Sequence, residues 1–186
     1  DDFRELGTRL RLVAVDLDSG ETADFGSPGL DHVPISRAIQ ASAALPGLFP
    51  PVKIDGRWYV DGALKKTLHA SIVLSEGADL VLCINPLVPF DAGRAMALGQ
   101  PPAPHLVERG LPTVMSQTLR SLIHSRMQVG MARYELEYPD ADIVLFEPDR
   151  GDTRMFFTNA LSYGSRQRLC EHAYQQTRAA LLARRE

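Results

Sequence analysis

The sequence predicts an α/β protein, and three observations carry that expectation. A helix-prone stretch, Thr67 to Glu76, passes through Gly77 into the apolar run Asp79 to Ile84. The same order recurs where the amphipathic stretch Thr113 to Tyr138 precedes Asp142 to Phe146. Helices alternating with buried strands are what a helix-covered sheet requires. The composition is that of a folded globular chain, 45% hydrophobic and 23% charged over 186 residues. That length suits one domain of ordinary size or a large piece of a bigger one.

Taken in order, Arg9 to Leu17 is short and rich in leucine and valine. The turn-forming cluster Asp18-Ser19-Gly20-Glu21 follows, then Thr22 to Phe25, so a strand and hairpin near a sheet edge are expected. Ser36 is the expected N-cap of a small-residue helix, Arg37 to Ala44, which Leu45-Pro46-Gly47 should end. Asp55-Gly56 between Val52-Lys53-Ile54 and Arg57 to Val60 is the strongest local signal, because Asp-Gly between two β-prone runs selects a two-residue hairpin turn. Gly77 is the C-terminal cap expected for the helix Thr67 to Glu76. Asp91 to Pro112 is rich in Gly, Pro and Ala and reads as a long surface excursion, with QPPAP its most biased tract. Thr113 to Tyr138 places Val114, Leu119, Leu122, Ile123, Met127, Met131 and Leu136 at helical spacing. Asp142 to Phe146 reads as a buried strand, and Thr158 to Arg185 as a terminal helix interrupted near Gly164.

Charge and cysteine usage narrow the function. Twenty basic residues against 23 acidic ones leave a net charge of -3, which provides no footprint for nucleic acid. Cys83 and Cys170 lack metal-ligand spacing, and Cys83 inside Leu80 to Ile84 reads as a buried free thiol. The apolar runs are broken well before the roughly 18 residues of a membrane span. His32, His69, His105, His124 and His172 contain no i, i+4 pair, so neither a metal nor a cofactor is expected. GxGxxG, P-loop and GxSxG patterns are all absent from the sequence.

Asp61 is the residue that stands out. It ends the strand Arg57 to Val60 and is followed by Gly62, a position where the backbone can turn sharply and present a carboxylate to a cleft. Such an aspartate can accept a proton from a serine hydroxyl or orient a histidine, and Asp61-Gly62 can equally be a plain turn pair. Spacing does not choose among these.

The wording of the sequence adds more. Arg37 to Val52 (RAIQASAALPGLFPPV), then Ile54-Asp55-Gly56, then Tyr59-Val60-Asp61-Gly62-Ala63, resembles the patatin-like phospholipase family, most clearly over residues 9 to 85. The resemblance implies a three-layer fold with a mostly parallel central sheet. It also implies a serine-aspartate dyad in which Asp61 is the general base and Gly62 and Ala63 complete the motif. The family's GxSxG serine and glycine-rich oxyanion loop lie N-terminal to residues matching these, and the chain opens on Asp1-Asp2-Phe3 without methionine. On the resemblance, residues 1 to 186 are expected to be the C-terminal part of one patatin-like domain, inactive alone and partnered by the missing N-terminal part. The substrate would be a phospholipid or other acyl ester, met at a membrane surface by transient contact.

An ordinary aspartate titrates near pH 4, so a base at Asp61 requires burial to raise its pKa, and the apolar run Ala41 to Pro51 is the candidate wall. One departure opposes this. Where the family commonly has Asn-Pro after the Asp-Gly pair and then another proline, this chain has Lys66-Thr67 and His69, and a lysine meeting Asp61 would lower the pKa. Two other readings stand beside the dyad. One is an α/β-hydrolase triad completed by His105, His124 or His172; the other is a catalytically silent domain that binds lipid or a partner.

Overall fold

Strand β1 (Leu12–Asp16) turns back into β2 (Thr22–Phe25) through a loop that its own last residue organises. Asp16 Oδ1 accepts hydrogen bonds from the backbone N–H of Asp18 (3.0 Å) and Ser19 (3.2 Å), the side-chain mimicry of a backbone turn for which aspartate is favoured there. These coordinates are a computed structural model. The residues described are 1–102, 105–158 and 162–183, and the chain divides into two units, Asp1–His69 and Ala70–Glu186.

In the first unit, helix α1 (Ile35–Ser42) leads to β3 (Val52–Ile54) and β4 (Arg57–Asp61). Asp55 and Gly56 between the last two take φ of 49° and 83°, the pair of left-handed conformations that a tight hairpin turn needs. The four strands form one sheet in the order β2-β1-β4-β3, antiparallel throughout. β1 is therefore interior, and β2 takes the edge place that the sequence had suggested for the hairpin.

Register decides what faces the helix. Ala14 lies opposite both Ala23 and Asp61, and Asp16 opposite Tyr59. Residues directly opposite share a face, so Asp61 is on the same side as Ala14, Ala23 and Tyr59. That side is the core, where Phe25, Ile54 and Val33 join Ala38 and Ala41 of α1. Ala38 and Ala41 are fully buried; with only methyl groups at the contact, the helix axis can approach the sheet closely. Phe25 meets Tyr59 edge-on at 5.3 Å between ring centroids, and burying such a ring contributes about 2–3 kcal/mol. Ser36 is not the helix cap. Pro34 holds that position, and Ser36 bonds through its N–H and Oγ to the Asp1 carboxylate at 2.9 and 2.6 Å.

The second unit contains α2 (Ala70–Ser75), β5 (Leu80–Ile84), α3 (Ala92–Ala97), α4 (Leu111–Glu137), β6 (Asp142–Phe146), α5 (Thr153–Phe157) and α6 (Tyr163–Ala183). β5 and β6 pair in parallel, as the α/β rhythm predicts, because two parallel strands need a long crossover and the segment holding α4 supplies it. The α/β class expected from the sequence holds, and the parallel pairing expected from the resemblance is found in this pair alone among the described residues. The larger sheet of the first unit is antiparallel because short turns join β1 to β2 and β3 to β4.

Several boundaries differ from the sequence reading for visible reasons. α2 starts at Ala70 rather than Thr67 because Leu68 takes φ 57°, which no helix accommodates. The excursion 91–112 contains α3, whose N-cap Asp91 accepts from Arg94 N–H at 3.0 Å. Ala95 of α3 is buried against Gly151, where an added Cβ would stand 2.7 Å from the Ala95 nitrogen. Residues 103 and 104 of QPPAP lie outside the described residues. The terminal helix is α6, which starts at Tyr163 and runs unbroken through Gly164, while the short α5 precedes the predicted range; residues 159–161, 184 and 185 of that prediction are outside the described set. On α4 the buried positions are Ile123, Met127 and Tyr134, while Leu122 and Leu136 face solvent.

Candidate active site

Asp61 sits at the last position of β4, where the strand leaves the sheet. Its N–H donates to Ala44 O at 3.1 Å, which brings the segment after α1 beside it. Ala41 and Ala44 are buried, while Leu48 and Phe49 are exposed. Only the first part of the predicted apolar wall therefore stands at Asp61.

The Asp-Gly pair is also a turn. Asp61 is the N-cap of a 3-10 turn, Gly62–Leu64, and its Oδ1 accepts from Ala63 N–H at 2.8 Å. Gly62 is buried against β1. A Cβ there would lie 2.7 Å from the Val13 carbonyl oxygen, closer than real contacts allow, so close approach rather than backbone freedom requires glycine. Ala63 contributes its N–H. Each member of Asp61-Gly62-Ala63 thus has a distinct physical part in the turn.

The Asp61 carboxyl has a raised pKa. Burial is the main cause, and it outweighs the Ala63 N–H and the charge of His69, which both act to lower it. The lysine effect anticipated from the sequence is not among these influences. Lys65 instead donates to Gly20 O at 2.8 Å and lies 3.6 Å from Glu21, and Lys66 acts on His69.

His69, which the sequence marks only as a departure from the family pattern, is a neighbour of the Asp61 turn. Its Nε2 lies 3.3 Å from Gly62 O, and burial pushes its pKa down, against the opposing influences of the Gly62 carbonyl, Asp24 and Asp61. Two of the three histidines nominated for a triad have other engagements within the second unit. His172 Nε2 is 2.5 Å from Asp152 Oδ2, and His124 Nδ1 is 3.5 Å from Glu147 Oε1.

Residues 1–74 match the family model of the patatin-like phospholipases. The matched residues contain the whole Asp61 turn, so this part of the chain is similar to the patatin-like phospholipases. The patatin-like segment is also similar to uncharacterized NTE family proteins of Mycobacterium bovis and of two strains of Mycobacterium tuberculosis. Each is 33% identical over 73 residues, which is 39% of this chain and 19% of the relative. The match thus spans about a fifth of the length of these curated relatives.

Proposed function

We propose that this chain is part of a lipid acyl hydrolase, a serine carboxylic ester hydrolase in which Asp61 is the general base and the serine lies outside these residues. The observation that carries the reading is the state of Asp61, a partly buried carboxyl with a raised pKa whose single hydrogen bond among the described residues leaves Oδ2 open. A base works best when its pKa approaches the working pH, and burial moves Asp61 in that direction. Serine Oγ attacks the ester carbonyl as Asp61 takes the hydroxyl proton, and the proton then passes to the departing alcohol. Water attacks the acyl-serine, Asp61 accepts a proton from it, and the free acid leaves as Oγ is reprotonated.

Two features support lipid as the substrate and the intact domain as the working unit. An apolar groove of about 630 Å³ beside α1 and β3 is lined by Ile39, Ala43, Phe49, Pro51, Val52 and Trp58. Lys53 Nζ lies 5.5 Å from the Trp58 ring centre, so cation and indole lie together, an arrangement suited to transient contact with a lipid interface. On β5, Leu80, Leu82 and Ile84 are 57%, 62% and 72% exposed. A parallel strand is normally covered on both faces, and these side chains support the view that further parts of the same domain cover them.

The test is ester turnover by the intact protein, with its serine, against Asp61→Ala. The reading requires a fall of about a thousandfold or more with the circular dichroism spectrum unchanged. Unaltered turnover would remove Asp61 from catalysis, and no turnover in either protein would favour a silent lipid- or partner-binding domain.

A further inference from the structure

We propose that α5 and α6 form a binding site for a phosphate group, held between Arg154 and Arg168. The site is a pocket of about 620 Å³ lined by Arg154, Thr158, Ser165, Arg168, Leu169 and His172. Five of these six carry hydrogen-bonding side chains and none is a carboxylate.

The frame of the pocket is fixed from behind by Asp152, the N-cap of α5. Its Oδ1 accepts from Arg154 N–H at 3.0 Å and Met155 N–H at 3.1 Å. Its Oδ2 lies 2.5 Å from His172 Nε2 and accepts from Gln176 Nε2 at 2.9 Å. One buried carboxylate therefore ties the start of α5 to two successive turns of α6. The far side of α5 is anchored as well, with Phe156 and Phe157 packed on Phe90 at 5.1 Å between centroids. So held, α5 contributes Arg154 and its C-cap Thr158, and α6 contributes Ser165, Arg168 and His172 at the spacing of one helical face.

Charge selects the ligand. Elsewhere in this unit Arg94 pairs with Asp149 and Arg133 with Glu137, while Arg109 and Arg120 lie over phenylalanine rings. Among the described residues, the Arg154 and Arg168 side chains have no carboxylate partner. The Asp152 charge is already met by four donors. Two guanidinium forks with adjacent hydroxyls are donor-only or donor-capable groups that match the oxygens of phosphate, which guanidinium binds in bidentate fashion. The phosphate can belong to a lipid headgroup or to a soluble molecule. The inference concerns the second unit alone and does not depend on the role of Asp61.

The experiment uses the full chain with inorganic phosphate and glycerol phosphate as soluble probes, read by thermal shift and calorimetry. Binding is expected, with about tenfold or greater weakening in Arg154→Gln/Arg168→Gln and no change in Arg178→Gln, a control on α6 outside the pocket. Arg168→Lys, which keeps charge but loses the fork, is expected to fall between. Sedimentation with phosphatidylcholine vesicles, with and without phosphatidic acid, distinguishes the sources. Acid-dependent vesicle binding lost in the double variant assigns a lipid phosphate, and soluble-probe binding alone assigns a soluble one. No binding of any probe, or equal binding by wild type and double variant, overturns the proposal. Retained secondary structure in the double variant separates lost contacts from lost fold.

Discussion

Asp61 and Asp152 are the same residue type in the same local role, each capping the turn or helix that follows it, yet their carboxyl groups move in opposite directions. Both lose solvent, which raises a carboxyl pKa. At Asp61 one backbone donor and the charge of His69 are too little to offset that loss, so the pKa rises. At Asp152 desolvation is again the largest single influence, but His172, Met155 N–H and Gln176 together exceed it and the pKa falls. The donors that reach the carboxylate, with the charge of His172, separate a group committed to holding helices together from one left ready to take a proton.

That contrast is sharpest when each carboxylate is removed. Asp61→Ala should abolish turnover while leaving the fold intact, because its side chain satisfies one exposed-end turn. Asp152→Ala should do the reverse, costing about 3 kcal/mol of stability, since it leaves the α5 N–H groups, His172 and Gln176 without their acceptor. Urea denaturation with hydrogen exchange on α5 measures this, and loss below about 1 kcal/mol would break the comparison. Gly62→Ala is expected to be intermediate, about 2 kcal/mol from the clash with the Val13 carbonyl. It should also reduce turnover by displacing Asp61.

The pH dependence of stability should carry opposite signs at the two sites. Between an ordinary aspartate pKa of about 4 and its raised folded value, Asp61 keeps a proton that the unfolded chain has released, so its contribution falls as pH rises through that window. Asp152 contributes fully above about pH 4, and that contribution is lost as pH falls toward its lowered folded value. Urea midpoints of Asp61→Asn and Asp152→Asn, subtracted from wild type over about pH 3 to 7, should therefore slope in opposite senses. Parallel slopes would mean that the donor count does not govern the two groups.

The two sites were also unequally legible in the sequence. Asp55-Gly56 and Asp61-Gly62 are local signals: a turn chemistry written in adjacent residues, reinforced by the patatin-like wording around them. The α/β class followed from helix-strand order for the same reason, whereas strand direction in the first sheet depended on which hairpins paired with which. The Asp152 cluster spans residues 152, 172 and 176, so it exists only once α5 and α6 meet. Its fragments were readable, an aspartate before Thr153 and a His/Gln pair four residues apart, but nothing local joins them. His69 was hidden differently. Leu68 takes a left-handed conformation, an unusual state for leucine that sequence does not announce, and His69, the next residue, bonds to Gly62 O.

The smallest expected effect lies at that residue. His69 acts on Asp61 only as a nearby charge, and removing it takes away one of the two influences that oppose burial. In His69→Gln the Asp61 pKa should rise further, and the acid limb of the pH–kcat/KM profile of the intact enzyme should move to higher pH with little change in the plateau. A general-base or triad role for His69 would instead collapse the plateau by two orders of magnitude or more. Because His69 itself has a lowered pKa, its charge is present only on the acid side of the profile. The shift should therefore be confined to that limb and absent near neutrality. A limb that stays in place while the plateau is retained would show that Asp61 does not feel His69, leaving burial and the Ala63 N–H as its whole environment.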